Sequence, residues 1–107
     1  MNNKLSGIDE ISKEELSNIN IEILNGSGKT ANLNEIKTLL KNAGFTISKT
    51  GTINSTEKTS ILNKTEISDN IINSIQALLE IGELSESPSI DSPANITIIL
   101  GKDFNTK

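Results

Sequence analysis

Two kinds of apolar spacing alternate along this chain, and this alternation constrains the fold more than any other feature. Between Asn18 and Leu24, polar residues alternate with Ile19, Ile21 and Ile23, which is the pattern of a half-buried strand. The next patterned stretch has helical spacing, with Leu33, Ile36, Leu39, Leu40 and Ala43 on one face. A strand that leads directly into an amphipathic helix is therefore predicted.

The same two patterns recur through the rest of the chain. Residues 45–49, 59–63 and 95–100 are predicted as strands, and a second helical stripe comprises Ile71, Ile72, Ile75, Leu78 and Leu79. The predicted class is α+β in the order β-α-β-β-α-β, with two helices on one face of a four-stranded sheet and solvent on the other. The ferredoxin-like plait is the expected arrangement, because it lets both crossovers be right-handed.

Local signals predict where the helices begin and end. Asn32 followed by Glu35 suggests a capping box at the start of the first helix. Gly44 and Gly82 are predicted to end the two helices. The polar stretch 83–93, which contains both prolines, is predicted to be a loop.

The length of 107 residues suits one domain. We predict a linker or flexible arm over residues 1–18, a folded domain over residues 19–104 and a frayed tail over residues 105–107. The chain contains no run of ~20 apolar residues that would span a membrane. Its start also lacks the apolar core of a signal peptide, so the chain is expected to be cytosolic or a piece of a larger protein.

The composition argues against most catalytic and metal chemistry. The chain has no Cys, His, Trp or Tyr, and all its basic residues are lysines. Zinc sites and Ser–His or Cys–His nucleophile pairs are therefore excluded, and so is a bidentate arginine clamp. The net charge of −4 argues against nucleic acid. The acidic pairs, such as Glu83 with Glu86, lie in polar segments, whereas a carboxyl group that acts as a general acid or base needs a partly desolvated cleft. We expect no catalytic residue, metal or cofactor, and no enzyme.

Residues 26–30 read Gly-Ser-Gly-Lys-Thr and resemble the end of a phosphate-binding loop. The full motif places its first glycine five positions before Gly28, where this chain has Ile23. We interpret the segment as a tight turn that lets strand and helix pack closely. The alternative is a nucleotide- or anion-binding small domain that uses Gly28, Lys29 and Thr30 at a helix N-terminus.

Three segments, in this order and at this spacing, resemble the C-terminal domain of LytR-type cell-envelope proteins. They are Ile21-Glu22-Ile23-Leu24-Asn25-Gly26-Ser27-Gly28, then Ala43-Gly44-Phe45-Thr46-Ile47, then Ile98-Ile99-Leu100-Gly101-Lys102-Asp103-Phe104. The family has a strand ending in Asn-Gly-Ser/Thr-Gly, a Gly-Phe/Tyr-x-Val strand and a closing Leu-Gly-x-Asp-Phe. The resemblance covers residues 19–104. It departs in the third strand, where the tyrosine of the family is missing.

The resemblance implies a domain outside the bacterial cell that follows a membrane helix and often a LytR-CpsA-Psr catalytic domain. We therefore expect a non-catalytic accessory or binding domain, located on the extracellular face of the membrane or in the cell wall within a membrane-anchored parent protein. Its expected partner is peptidoglycan, another cell-wall polymer or a protein, and it meets the membrane only through a missing N-terminal segment. The candidate contact residues are Asn25, Gly26, Ser27, Gly28, Lys29, Thr30 and Asp103.

A further alternative is a protein–protein interaction module. Edge strands of an open sheet can pair with an extended partner or with a second copy.

Overall fold

The computed structural model describes residues 16–65, 67–86 and 94–104. In chain order, its elements are β1 (Asn20–Asn25), α1 (Thr30–Ala43), β2 (Thr46–Thr52), β3 (Ser60–Asn63), α2 (Asp69–Leu79), β4 (Glu83–Glu86) and β5 (Ile96–Leu100). Residues 1–15 of the predicted arm and the whole predicted tail lie outside the described residues. Neither of these two helices is long and apolar enough to cross a membrane.

The strands form one mixed sheet in the order β2-β1-β5-β3-β4. β1 is parallel to both β2 and β5, whereas β3 is parallel to β4 and antiparallel to β5. The sheet therefore consists of two βαβ units joined through the central strand β5. Right-handed crossovers place both helices on the same face, where they contact each other. The predicted α+β class with two helices is confirmed.

The predicted four-stranded ferredoxin-like plait is wrong. The fifth strand, β4, lies within the predicted loop 83–93, and all four of its residues are exposed. Leu84 is its one apolar residue, so the segment shows no alternation of the kind that marks a half-buried strand. Its place in the sheet comes from backbone pairing with β3. In addition, β1 and β2 are direct neighbours, whereas a plait separates the strands of each βαβ unit.

The core lies between the sheet and the two helices, where the predicted apolar stripes meet. Its fully buried aliphatic side chains are Ile21, Ile23, Ile36, Leu40, Ile61, Ile75, Ile96, Ile98 and Leu100. Each such side chain contributes about 1.5–3 kcal/mol by leaving water. The central strand β5 supplies three of them, because it has a neighbouring strand on both sides and the helices on one face.

The helix ends agree only partly with the local signals. Gly44 ends α1 in the left-handed conformation, with φ of 111° and its amide bonded to the Lys41 carbonyl, as predicted. The predicted capping box is wrong, because Lys29 is the N-cap and Asn32 lies inside the helix. The predicted helix end at Gly82 is also wrong. Glu80 takes the left-handed position instead, with φ of 65°.

The sheet face opposite the helices is less solvated than predicted. Thr97 lies between Glu22 and Leu62 on the neighbouring strands and is only 3% exposed. Its hydroxyl is 3.1 Å from Glu22 Oε1, and the Lys49 ammonium is 3.9 Å from Glu22 Oε2. Long side chains on the flanking strands thus shield the short side chain in the middle.

Candidate functional site

The predicted contact residues come together at the carboxyl ends of two neighbouring strands. Because β1 and β5 are parallel, both strands end on the same side of the sheet, with Asn25 paired to Leu100. The Gly26 amide donates to the Leu100 carbonyl at 2.8 Å. The loop after β1 therefore lies beside the segment after β5, which carries Asp103.

Side chains within the loop hold its shape. Asn25 Oδ1 accepts hydrogen bonds from the Ser27 amide at 3.1 Å and the Ser27 hydroxyl at 2.7 Å. Asn25 Nδ2 donates to the Lys29 carbonyl at 3.0 Å. Asn25 and Ser27 are 4% and 8% exposed. Their polar groups therefore satisfy the turn itself, as buried polar groups usually do.

Asn32, which was not among the predicted site residues, ties this loop to the end of the domain. Its amide nitrogen donates to the Ser27 hydroxyl at 3.0 Å and to the Phe104 carbonyl at 3.2 Å. Asn32 is 1% exposed, and its Oδ1 atom has no hydrogen-bond partner. Asn32 lies four residues before the buried Ile36, so a polar residue on the apolar helix face is the sequence signal that could have identified it.

Asp103 joins the end of β5 to the beginning of β3. Its Oδ1 accepts hydrogen bonds from the Thr59 amide at 2.9 Å and the Thr59 hydroxyl at 2.7 Å. The Thr59 hydroxyl in turn accepts a bond from the Gly101 amide at 3.0 Å. Thr59 is fully buried, so the carboxylate satisfies groups that water cannot reach.

We expect Asp103→Ala to lower the free energy of unfolding by about 2 kcal/mol, because it leaves the buried Thr59 amide without an acceptor. Urea denaturation followed by circular dichroism measures this loss. Asp103→Asn is the matched control, since its amide oxygen can still accept, and a smaller loss is expected. Equal stability of Asp103→Ala and the native domain would contradict the assigned role.

The exposed part of the predicted site is the loop tip, formed by Gly28, Lys29 and Thr30. Gly28 has φ of 84°, a conformation that glycine adopts without strain. The lysine side chain precedes the first turn of α1, where partial positive charge accumulates. This surface can attract an anion or donate hydrogen bonds. Within the described residues, no three acidic side chains are grouped to hold a metal ion.

The fold and the loop define a class: a small α+β domain of two βαβ units, with a side-chain-bonded turn after its first strand. The family model described as LytR cell envelope-related transcriptional attenuator matches residues 18–104. The chain therefore belongs to this LytR_C family, and the resemblance predicted from the three sequence segments is confirmed.

One solved structure is similar in fold. It is the soluble domain of a conserved hypothetical secreted protein (Rv2700 ortholog) from Mycobacterium marinum, with a TM-score of 0.59 and 22% sequence identity. The match covers 90% of this chain and 72% of that one. At this identity the likeness shows a shared fold alone. No curated protein matches the chain.

Proposed function

We propose that this chain is a non-catalytic accessory domain that acts outside the cell, within a membrane-anchored cell-envelope protein. Its membership of the LytR_C family supports this placement. So does the name of the similar structure, which describes a secreted protein. The observation that carries the non-catalytic role is the arrangement of Asn25, Ser27 and Asp103. Their polar groups bond to the domain itself, so they hold the fold together.

The proposed partner is peptidoglycan or another cell-wall polymer, contacted by the loop tip. Gly28, Lys29 and Thr30 are exposed, and Asn25 and Ser27 hold the backbone of Lys29 in place through hydrogen bonds. A polymer carrying phosphate or carboxylate groups would meet the lysine ammonium beside the positive end of α1. One such contact is worth about 1 kcal/mol when it is exposed to solvent, so the lysine supplies only part of the proposed binding free energy.

The nucleotide alternative is disfavoured by the backbone of the same loop. A phosphate-binding loop needs free amides that point at the ligand. Here the Gly26 amide donates to Leu100, the Ser27 amide to Asn25 and the Lys29 amide to Ser27. Internal acceptors thus occupy three of the loop amides that would have to surround a phosphate.

Sedimentation with purified bacterial cell walls tests the proposal. We expect the native domain to pellet with the walls, and Lys29→Glu to bind roughly tenfold more weakly, since one lost contact and one repulsion together amount to about 1.4 kcal/mol. Lys64→Glu is the matched control, because it makes the same charge change near the start of β5, at the opposite end of that strand. Absence of the native domain from the pellet would overturn wall binding.

A further inference from the structure

The two edges of the sheet carry opposite charges. Lys37 and Lys41 of α1 and Lys49 of β2 line a groove of about 230 Å³ beside the β2 edge. Asp69 of α2 and Glu86 of β4 line a groove of about 210 Å³ beside the β4 edge. We call these two surfaces the basic edge and the acidic edge. Each consists of an outer strand and the flank of the helix that lines the same groove.

Both edges also offer backbone groups and an apolar side chain to a partner. The part of the chain that the structure describes adds no strand beyond β2 or β4. Its exposed large apolar side chains are Ile53, at 38%, and Leu84, at 40%. Ile53 directly follows β2, and Leu84 lines the groove of the acidic edge. Half-buried Ile47 lines the groove of the basic edge. Apolar exposure therefore coincides with the open strand edges, where pairing with another strand would cover it.

We propose that the acidic edge of one copy of this chain pairs with the basic edge of a second copy. Pairing two basic edges would place lysines against lysines, and pairing two acidic edges would place carboxylates against carboxylates. Both arrangements cost energy, because like charges that face each other across an interface repel. The pairing of unlike edges brings Lys37 and Lys41 towards Asp69 and Glu86, so the charges select the second copy and its orientation.

The sheet directions determine how such copies join. β2 runs parallel to β1 and β5, whereas β4 runs antiparallel to β5. A second copy that keeps its helices on the same face therefore adds its β2 antiparallel to β4, which extends the mixed sheet. Each copy retains one unpaired edge of each kind, so the contact is head-to-tail and can continue to further copies.

We expect the pairing to be weak, because one of the two strands is short. β4 has only four residues, so we expect the interface to bury less than the roughly 1,200 Å² that marks stable complexes. We expect a dissociation constant on the order of 10⁻⁴ M. This inference does not depend on wall binding, because the loop tip with Lys29 belongs to neither edge.

Sedimentation velocity of the purified chain tests the inference at concentrations from about 0.01 to 1 mM, which bracket that affinity. At low salt, the weight-average sedimentation coefficient should rise with concentration. In about 0.5 M NaCl it should return to the monomer value, because the screening length falls to roughly 4–5 Å. A native chain that stays monomeric throughout this range overturns the proposal.

Charge reversal provides the decisive comparison. Lys37→Glu/Lys41→Glu makes both edges acidic, and Asp69→Lys/Glu86→Lys makes both edges basic. Each variant alone should remain monomeric, whereas an equimolar mixture should associate as the native chain does. Lys102→Glu, which adds negative charge at an exposed position that lines neither groove, should associate normally. Failure of the mixture to associate, or native-like association of either variant alone, overturns the pairing of unlike edges. Far-UV circular dichroism verifies the fold of each variant.

Discussion

Replacing Gly101 with alanine is expected to lower the free energy of unfolding by about 3 kcal/mol, because the backbone of another segment occupies the space for a side chain. A Cβ atom at this position would lie 2.3 Å from the carbonyl carbon of Lys58 and 2.6 Å from its oxygen. Hydrogen bonds hold the two segments of this contact in place. The Lys102 amide donates to Thr56 at 2.8 Å, and the Gly101 amide donates to Thr59.

Thermal and urea denaturation measure the effect of Gly101→Ala. For a domain of this size, a loss of about 3 kcal/mol lowers the Tm by roughly 12–20 °C. Gly51→Ala is the matched control, because its Cβ would meet only Leu24 Cδ2 at 3.5 Å, an ordinary contact. It should change stability by less than about 1 kcal/mol. Similar denaturation midpoints for the two variants would show that the close approach at Gly101 is not a constraint.

The second large effect is expected at Asn32, where Asn32→Asp should cost about 4 kcal/mol at neutral pH. The substitution removes the amide nitrogen that bonds to Ser27 and Phe104. It also places a carboxylate at a position that is 1% exposed and directs it at the Phe104 carbonyl oxygen. An unpaired buried charge typically costs about 3–5 kcal/mol.

The pH dependence distinguishes this charge effect from simple loss of packing. Burial raises the pKa of the introduced carboxyl above its ordinary value of about 3.9. The variant should therefore be closest to the native domain below about pH 4, and it should lose relative stability as the pH rises through the raised pKa. Asn32→Ala, which removes the hydrogen bonds without adding charge, should show a deficit that does not depend on pH. A constant deficit for Asn32→Asp would contradict burial of the carboxylate.

These expectations divide the candidate site into two parts. Asn25 and Ser27 make a hydrogen bond that holds the shape of the loop, and Asp103 joins the segment after β5 to the beginning of β3. The tip, with Gly28 and Lys29, is exposed and is the part proposed to contact the wall. The roles of all these residues in binding remain predictions, which the cell-wall sedimentation experiment addresses.

Local patterns predicted the parts of the fold that depend on local burial. The alternation around Ile21 and Ile23 and the helical stripe containing Ile36 and Leu40 both appear in the core. Gly44 ends its helix as expected, because no other residue type takes a φ of 111° without strain. The second helix ends at Glu80, two residues before Gly82, because the glycine predicts a helix end from residue type alone.

Other features arise only when distant segments meet. The exposed strand β4 has no apolar alternation, and it exists because backbone groups of β3 pair with it. The sequence predicts Asn32 as part of a capping box, but its side-chain amide donates hydrogen bonds to the Ser27 hydroxyl and to the Phe104 carbonyl, which is 72 residues away. No residue type near Asn32 signals such a partner. The opposite charges of the two sheet edges likewise become visible only once the strand order is known.

Periodicity alone thus determined that the chain forms two amphipathic helices and a sheet around an aliphatic core, because the spacing of apolar residues reports which face each element buries. The three short motifs also indicated the family, which the family-model match over residues 18–104 confirms. Only the tertiary structure decided the strand order, the fifth strand and the internal bonding of the loop. These features depend on backbone hydrogen bonds and on contacts between distant residues, and the backbone is chemically alike at nearly every position.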